Sequence, residues 1–226
     1  MKKLFLLGAV LIANNMVAQT LLNGSFESTT ALATCNYNMS NAIYNSYMPN
    51  STAFGLYQAI DIVVSGCYIP SVPNGRYAIG LANKPSNNLE GEAVSLDLSS
   101  PLIIGNIYEI SLQAFAITSF GPQGDLLIGI SNTNNSFGNV VDTVNTVAST
   151  WTSFTLNFIA TTNATHITVM PIPGVSSWNF VDDFSITEIS YDTRTECNSY
   201  TWIDGNTYNT SNNTATYNIV GGAANG

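Results

Sequence analysis

Two adjacent aspartates interrupt a run of apolar and aromatic residues late in the chain. The stretch "WNFVDDFSI", residues 178–186, carries Asp182 and Asp183 among Trp, Phe, Val and Ile. Because side chains alternate across a β-strand, one of the two carboxylates is expected to face inward. A buried carboxylate needs a cation, an arginine or a set of backbone donors as its partner. The pattern therefore predicts a carboxylate site on a strand.

Catalytic chemistry has few candidates in this sequence. A Ser-His-Asp or Cys-His mechanism would have to use His166, since the chain contains one histidine, and no serine lies in a GxSxG motif. His166 shares a strand face with Thr168 and Met170, so we expect it to face solvent. Glu90 and Glu92 could form a glycosidase pair, although a solvated turn explains them better. With no zinc-binding cluster either, the sequence favours a protein that is not an enzyme.

The N-terminus has the pattern of a secretory signal peptide over residues 1–18. Lys2 and Lys3 precede an apolar stretch at residues 4–13, and the small residue Ala18 comes just before Gln19. The apolar stretch is shorter than the roughly 20 residues that span a bilayer. We therefore predict a mature chain beginning at Gln19, with no transmembrane segment, that is secreted or held at the cell surface.

The predicted mature chain is strongly acidic. Without Lys2 and Lys3, three basic residues remain against 14 acidic ones, a formal charge of −11. Such a surface repels phosphate backbones and anionic lipids, so nucleic-acid and electrostatic membrane binding are disfavoured. Neutral sugars, divalent cations or partners with basic patches suit it better.

Short strands separated by turn signals dominate residues 19–190, and helical periodicity is almost absent. Phe154, Leu156 and Phe158 alternate onto one face, as do Ile167 and Val169. This texture predicts an all-β fold, an antiparallel β-sandwich. The predicted strands are "RYAIGLA", "EAVSLDL", "IYEISLQAFAI", "DLLIGIS", "TSFTLNFIA", "HITVMPI" and "FVDDFSITEI".

Residues 29–71 have a different composition, rich in Asn, Ser and Tyr with little alternation. We interpret them as a long excursion between the first two strands, tied by a disulfide between Cys35 and Cys67. Long loops in compact domains are often functional. The alternative is that the tyrosines of this segment merely cover one end of the sandwich.

The composition of the sequence changes again in the last part of the chain. Residues 191–196 resemble a linker, and "SYTWIDGNTYN" predicts a β-hairpin with a tight turn at Asp204 and Gly205. Cys197 has no evident partner.

Two resemblances follow from these motifs. "LLNGSFES", "VPNGRYAIGLA", "WTSFTLNFIAT" and "NFVDDFSI", in this order, resemble galactose-binding-like jelly-roll domains, especially carbohydrate-binding modules. Residues 197–226 are similar to a short repeat of exported Bacteroidetes surface proteins. That repeat has a second cysteine just where this chain ends at "GGAANG", so we interpret the sequence as truncated, with the partner of Cys197 and possible further domains missing.

The first resemblance implies a structural calcium ion between the first and last strands. The matching residues are Glu27 and Asp183, or else Asp182. Calcium prefers carboxylate and carbonyl oxygens, which such strand ends provide. The alternative is that Asp183 accepts backbone amide hydrogen bonds with no metal.

The same resemblance implies a non-catalytic module that binds neutral polysaccharide or glycan through aromatic and amide side chains. Trp151 and Trp202 are assigned to packing. One alternative is a structural or adhesive surface module without a sugar site, and another is an accessory domain of a secreted glycoside hydrolase. The candidate ligand-binding residues are Trp178, Tyr44, Tyr47, Tyr57 and Tyr68.

Overall fold

A computed structural model describes residues 19–84, 91–119, 124–189, 199–202 and 204–210. Two compact units divide the chain, one from Gln19 to Tyr191 and one that includes the residues from Asp192 onward. The predicted signal peptide, the predicted linker and Cys197 lie outside the described residues. Within the described ranges, no helix is long and apolar enough to cross a membrane.

The first unit is built almost entirely from short strands. In chain order its elements are β1 (Asn36–Met39), α1 (Asn41–Tyr47), β2 (Ser51–Ala53), β3 (Ile60–Val63), β4 (Ala78–Asn83), β5 (Val94–Asp97), β6 (Ile107–Ile117), β7 (Leu126–Ser131), β8 (Asn139–Val144), β9 (Thr152–Ile159), β10 (His166–Pro171) and β11 (Ser177–Ile189).

Two antiparallel sheets arise from these strands. The described strands of the larger sheet follow the order β1-β3-β4-β11-β6-β9, and those of the smaller sheet follow β2-β5-β10-β7-β8. Every strand pair in both is antiparallel. The predicted all-β antiparallel sandwich is confirmed.

The main core draws its residues from both sheets. Leu81 and Val181 of the larger sheet belong to one buried cluster with Leu96 and Val169 of the smaller sheet. Leu156 joins them, with Phe154 and Phe158 packed alongside, as their alternation predicted. Burial of these side chains, at about 25 cal/mol per Å² of apolar surface, is the main force that holds the sheets together.

A second buried cluster lies on the other face of the larger sheet. Phe180 and Phe115 belong to it, whereas their chain neighbours Val181 and Ala114 belong to the main core. Cys67 and Ile69, from the segment after β3, complete this cluster, and Tyr37, Trp151 and Trp178 pack against it. We call this side of the larger sheet the outer face.

The Asn-rich segment at residues 29–71 is not the irregular excursion that the sequence suggested. It contributes β1 and β3 to the larger sheet, β2 to the smaller sheet, and the helix α1. These strands have three or four residues each, too few for an alternation signal. The predicted Cys35–Cys67 disulfide is present. Strand β8, also absent from the predicted strands, forms the edge of the smaller sheet.

His166 does not face open solvent as predicted. Its neighbour on the same strand face, Thr168, is fully buried, and its hydroxyl donates to the carbonyl of Phe137 in the β7–β8 connection. His166 is half-buried, and its Nε2 lies 3.3 Å from a carboxylate oxygen of Asp97. The β7–β8 connection thus covers a face that sequence alternation alone assigned to solvent.

The second unit contains the predicted hairpin. Strands β12 (Tyr200–Thr201) and β13 (Thr207–Tyr208) pair antiparallel. Gly205 has φ +82°, a left-handed conformation that suits glycine in a turn, and its amide donates to the carbonyl of Trp202.

Candidate functional site

A cleft of about 310 Å³ opens on the outer face of the larger sheet. Four aromatic side chains line it, together with amide, hydroxyl and charged groups. We call it the aromatic cleft, and its residues are Tyr37, Asn38, Tyr57, Ala59, Asp61, Tyr68, Ala82, Asn83, Lys84, Ser176, Ser177 and Trp178.

Neighbouring strands bring these residues together. Tyr37 lies on β1, Asp61 on β3, Ala82 on β4 and Trp178 on β11, and these strands follow one another across the sheet. Trp178 stands directly opposite Ala82 in the β4–β11 pairing. Because alanine is small, it leaves space beside the indole ring, and the cleft opens there.

Three of the aromatic rings pack against one another. The ring centroids of Tyr68 and Trp178 are 5.0 Å apart, and those of Tyr37 and Tyr68 are 5.3 Å apart. Tyr37 meets Trp178 edge to face at 6.1 Å, and the ring centroid of Phe180 lies 5.4 Å from that of Trp178 in a tilted arrangement. Such pairs contribute about 0.5–1.5 kcal/mol beyond their buried area, so the rings form a mutually supported group.

The disulfide fixes two of these rings near the cleft. Cys67 immediately precedes Tyr68, and Cys35 is two residues before Tyr37, so one covalent bond ties both segments. Tyr68 has φ +64°, a left-handed backbone conformation uncommon outside glycine and asparagine. Residues held in this conformation are enriched at ligand sites.

A buried carboxylate lies beside the aromatic rings. Asp61 is 3% exposed, and its Oδ1 accepts from the amide of Asn38 at 2.8 Å. Its Oδ2 accepts from the indole Nε1 of Trp178 at 2.9 Å. Burial raises the pKa of Asp61 to about 7, although these two hydrogen bonds act in the opposite direction. The carboxylate therefore holds the ring edge at an electrostatic cost.

Glu92 is a second buried acid close to Asp61. It is 1% exposed, and its Oε2 accepts from the amide of Ala82 at 2.6 Å. Burial raises the pKa of Glu92 well above its usual value, and the nearby charge of Asp61 adds to this increase. Because it is enclosed, Glu92 does not have the solvated position that the sequence suggested, and its suggested partner Glu90 lies outside the described residues.

The structure brings three of the five candidate ligand-binding residues to the aromatic cleft. Trp178, Tyr57 and Tyr68 line it. Tyr44 does not, because it lies on the completely buried side of α1, where its hydroxyl forms a hydrogen bond of 2.8 Å with the hydroxyl of Ser51. Tyr47, at the end of α1, is exposed but does not line the cleft. Tyr44 in particular has no surface with which to contact a ligand.

Sequence reasoning missed several residues of the cleft. Tyr37, Asn38 and Asp61 lie on β1 and β3, the short strands that the sequence did not reveal. A weak signal existed in the two cysteines, since a disulfide between Cys35 and Cys67 would bring Tyr37 close to Tyr68. Asn83 had no comparable signal, and it is buried with its amide donating to the carbonyls of Ile172 and Val175.

The three predicted metal-binding acids surround one turn, residues 74–77. Glu27 Oε1 accepts from the amides of Arg76 and Tyr77, each at 2.8 Å. Asp182 Oδ2 accepts from the amide of Asn74 at 3.0 Å. Asp183 Oδ1 accepts from the side-chain amide of Asn74 at 2.7 Å. Residues far apart in sequence therefore meet at this turn.

A β-bulge explains why both aspartates reach the same turn. The pairing of β11 with β6 shifts register between Asp182 and Ser185, and Asp183 has φ +54°. Asp182 is the fully buried member of the pair, while Asp183 is half-buried. Burial raises the pKa of Asp182 to about 7, and the charges of Asp183 and Glu27 contribute to the increase. The amide of Phe184 donates to the carbonyl of Gly24, which joins this strand to the start of the unit.

The contacts of the three acids at this turn are hydrogen bonds from amides. Within the described parts of the chain, no group of three or more His, Cys, Asp or Glu side chains could hold a metal ion. Oxygens of Glu27, Asp182 and Asp183 instead accept hydrogen bonds from backbone or side-chain amides. Calcium at these residues stays a prediction, and the contacts resemble the metal-free alternative.

Comparison with known proteins finds solved structures that are similar to this chain at low sequence identity. No protein-family model and no curated protein matches the sequence. The CBM22-1 xylan-binding domain of Paenibacillus barcinonensis Xyn10C is 14% identical, over 78% of this chain and 99% of that one, with a TM-score of 0.45.

Two other solved structures are similar to the same extent. The carbohydrate-binding module TmCBM61, in complex with β-1,4-galactotriose, is 17% identical over 75% of this chain and 97% of that one, with a TM-score of 0.44. A point mutant of the module CBM29-2, in complex with mannohexaose, is 14% identical over 69% of this chain and 91% of that one, with a TM-score of 0.40. Similarities this low support no inference about the ligand of this chain, which must come from the cleft itself.

Proposed function

We propose that the first unit is a non-catalytic module that binds a neutral carbohydrate in the aromatic cleft. The observation that carries this proposal is the grouping of Tyr37, Tyr68 and Trp178 in one cleft with neutral amide and hydroxyl groups. Sugars present apolar C–H faces together with rims of hydroxyl groups. An aromatic surface beside fixed polar groups suits both parts of such a ligand.

Preorganisation of the cleft supports the same function. Ring–ring contacts, the Cys35–Cys67 disulfide and the hydrogen bond from Trp178 to Asp61 hold the aromatic groups before a ligand arrives. A site whose side chains are already ordered loses less conformational entropy on binding. The acidic character of the chain disfavours polyanionic ligands and leaves neutral sugars as the better match.

The test of this function is binding to a panel of neutral soluble polysaccharides by affinity electrophoresis and calorimetry. We expect retention of the wild-type protein by at least one of them and loss of that retention in Trp178→Ala. Trp202→Ala, which removes a tryptophan of the second unit, is the matched control and should bind normally. If no polysaccharide retains the wild-type protein, the proposal is overturned in favour of a structural or adhesive surface module.

We also propose that the protein is exported to an oxidising compartment. The disulfide supports this location, because such bonds persist mainly in secreted and surface proteins. The pattern of residues 1–18 is consistent with it. Mass spectrometry of the protein from culture medium and cell surface would test both the location and a mature start at Gln19.

A further inference from the structure

Asp61 makes a contact that crosses the larger sheet, from β3 to β11. It stands opposite Gly80 on β4, and Gly80 in turn stands opposite Phe180 on β11. The carboxylate passes over Gly80 and accepts the indole N–H of Trp178, two residues before Phe180. A hydrogen bond thus joins two strands that are not direct neighbours in the sheet.

The space for this contact exists because residue 80 is a glycine. A Cβ at this position would lie 2.8 Å from Asp61 Oδ2 and 2.9 Å from Cε1 of Phe180, closer than real contacts allow. Any larger residue would have to displace the carboxylate or the ring. The absence of a side chain at Gly80 is therefore required for the hydrogen bond between Asp61 and Trp178.

The two oxygens of Asp61 have separate roles. Oδ1 accepts from the amide of Asn38 on β1, which aims the carboxylate, and Oδ2 accepts from Trp178. An amide side chain of the same shape has one acceptor oxygen, so it would present an N–H group to one of the two donors. A buried donor that loses its acceptor is costly, and one of the two groups would have to move.

We propose that Asp61 is a positioning residue that fixes the orientation of the Trp178 ring for carbohydrate in the aromatic cleft. This inference rests on the proposed function. Asp61 is enclosed and acts through the indole, with which it shares a hydrogen bond, and not as a main contact of the ligand. Removal of the Asp61 carboxylate should change the orientation of the Trp178 ring and leave the fold intact.

The experiment compares wild type with Asp61→Asn, which preserves volume, and with Gly80→Ala, which keeps the Asp61 residue but adds a Cβ that must displace its carboxylate or the Phe180 ring. The indole N–H resonance of each tryptophan is recorded by NMR in ¹⁵N-labelled protein and assigned with Trp178→Phe. Trp151 is an internal control, since its indole donates to the carbonyl of Ser71 and not to Asp61. Affinity for the polysaccharide that retains the wild type is measured on the same samples.

We expect both substitutions to shift the Trp178 indole resonance, to leave that of Trp151 unchanged, and to weaken affinity about tenfold. The thermal midpoint of Asp61→Asn should change little, because removal of a buried charge offsets the cost of leaving one buried donor without an acceptor. An unchanged Trp178 resonance, or an unchanged affinity in folded Asp61→Asn, would overturn the positioning role. If the wild type itself binds none of the polysaccharides, the proposed function fails first, and this inference fails with it.

Discussion

The indole nitrogen of Trp178 and the carboxylate of Asp61 are joined by a 2.9 Å hydrogen bond, although 117 positions separate them in the sequence. The bond places a buried acid at the edge of the tryptophan ring that is proposed to contact the ligand. It links the stability of the larger sheet to the geometry of the aromatic cleft.

The stability of the protein should depend on pH through Asp61. Its pKa is raised from the ordinary 3.8 to about 7 in the folded state, so the native protein binds a proton that the unfolded chain has released at intermediate pH. This contribution is therefore present below pH 4 and is lost as the pH rises through 7. Each unit of difference between the folded-state and unfolded-state pKa corresponds to about 1.4 kcal/mol, so the contribution of Asp61 to the unfolding free energy is at most about 4 kcal/mol.

Urea unfolding between pH 5 and pH 8.5 measures this effect. Wild type should lose more unfolding free energy over this range than Asp61→Asn does. Asp182 and Glu92, whose pKa values are also raised, and Tyr37 remain in both proteins. Because the charge of Asp61 helps to raise the pKa of Glu92 and of Tyr37, the difference between the two proteins reports Asp61 together with its coupling to these neighbours. Parallel pH dependences in the two proteins would show that Asp61 is not the group that titrates.

Loss of the disulfide should affect the cleft more than the main core. In Cys35→Ser/Cys67→Ser, the segments that carry Tyr37 and Tyr68 lose their covalent tie, while the main core between the sheets keeps its residues. A disulfide that closes a loop of this length contributes typically about 2–4 kcal/mol. We expect a lower thermal midpoint, a retained far-ultraviolet β spectrum and loss of polysaccharide retention. If the double variant is retained by the polysaccharide as strongly as wild type, the disulfide is not needed to form the binding site.

Two exposed tyrosines provide a matched pair for mapping the ligand surface. Tyr68 is 54% exposed and lines the cleft, whereas Tyr47 is 36% exposed and lies outside it. Tyr68→Ala should weaken polysaccharide affinity by a factor of about five or more, as truncation of an aromatic contact does. Tyr47→Ala should leave the affinity unchanged. Equal losses in both variants would place the ligand elsewhere on the surface.

The turn at residues 74–77 allows a direct test of calcium. If the acids act only as acceptors for amides, a chelator should leave the thermal midpoint unchanged, and Glu27→Ala should lower it by a few degrees, because two backbone donors lose a charged acceptor. A midpoint that falls on chelation and recovers with calcium would instead establish the ion. Calorimetric titration with calcium, with Glu27→Ala as the control, distinguishes the two outcomes.

Local sequence patterns were enough to predict the class of fold. Alternation such as that of Phe154, Leu156 and Phe158 identifies a strand with one buried face, because its period of two residues is visible in the sequence. The Asp-Gly turn near Gly205 predicted the C-terminal hairpin, and the positions of Cys35 and Cys67 predicted the disulfide. Each of these signals is contained within a short stretch or in a residue type.

The assembly of Asp61 and Gly80 with Trp178 in the aromatic cleft was decided by the tertiary structure. Asp61, Gly80 and Trp178 lie on three separate strands, and only the register of β3 on β4 and of β4 on β11 aligns them. The bulge at Asp183 likewise turns two adjacent aspartates toward one turn, where simple alternation would have separated them. Strand register depends on the packing of the whole sandwich, because distant side chains must fit the same core, and no local pattern in the sequence records it.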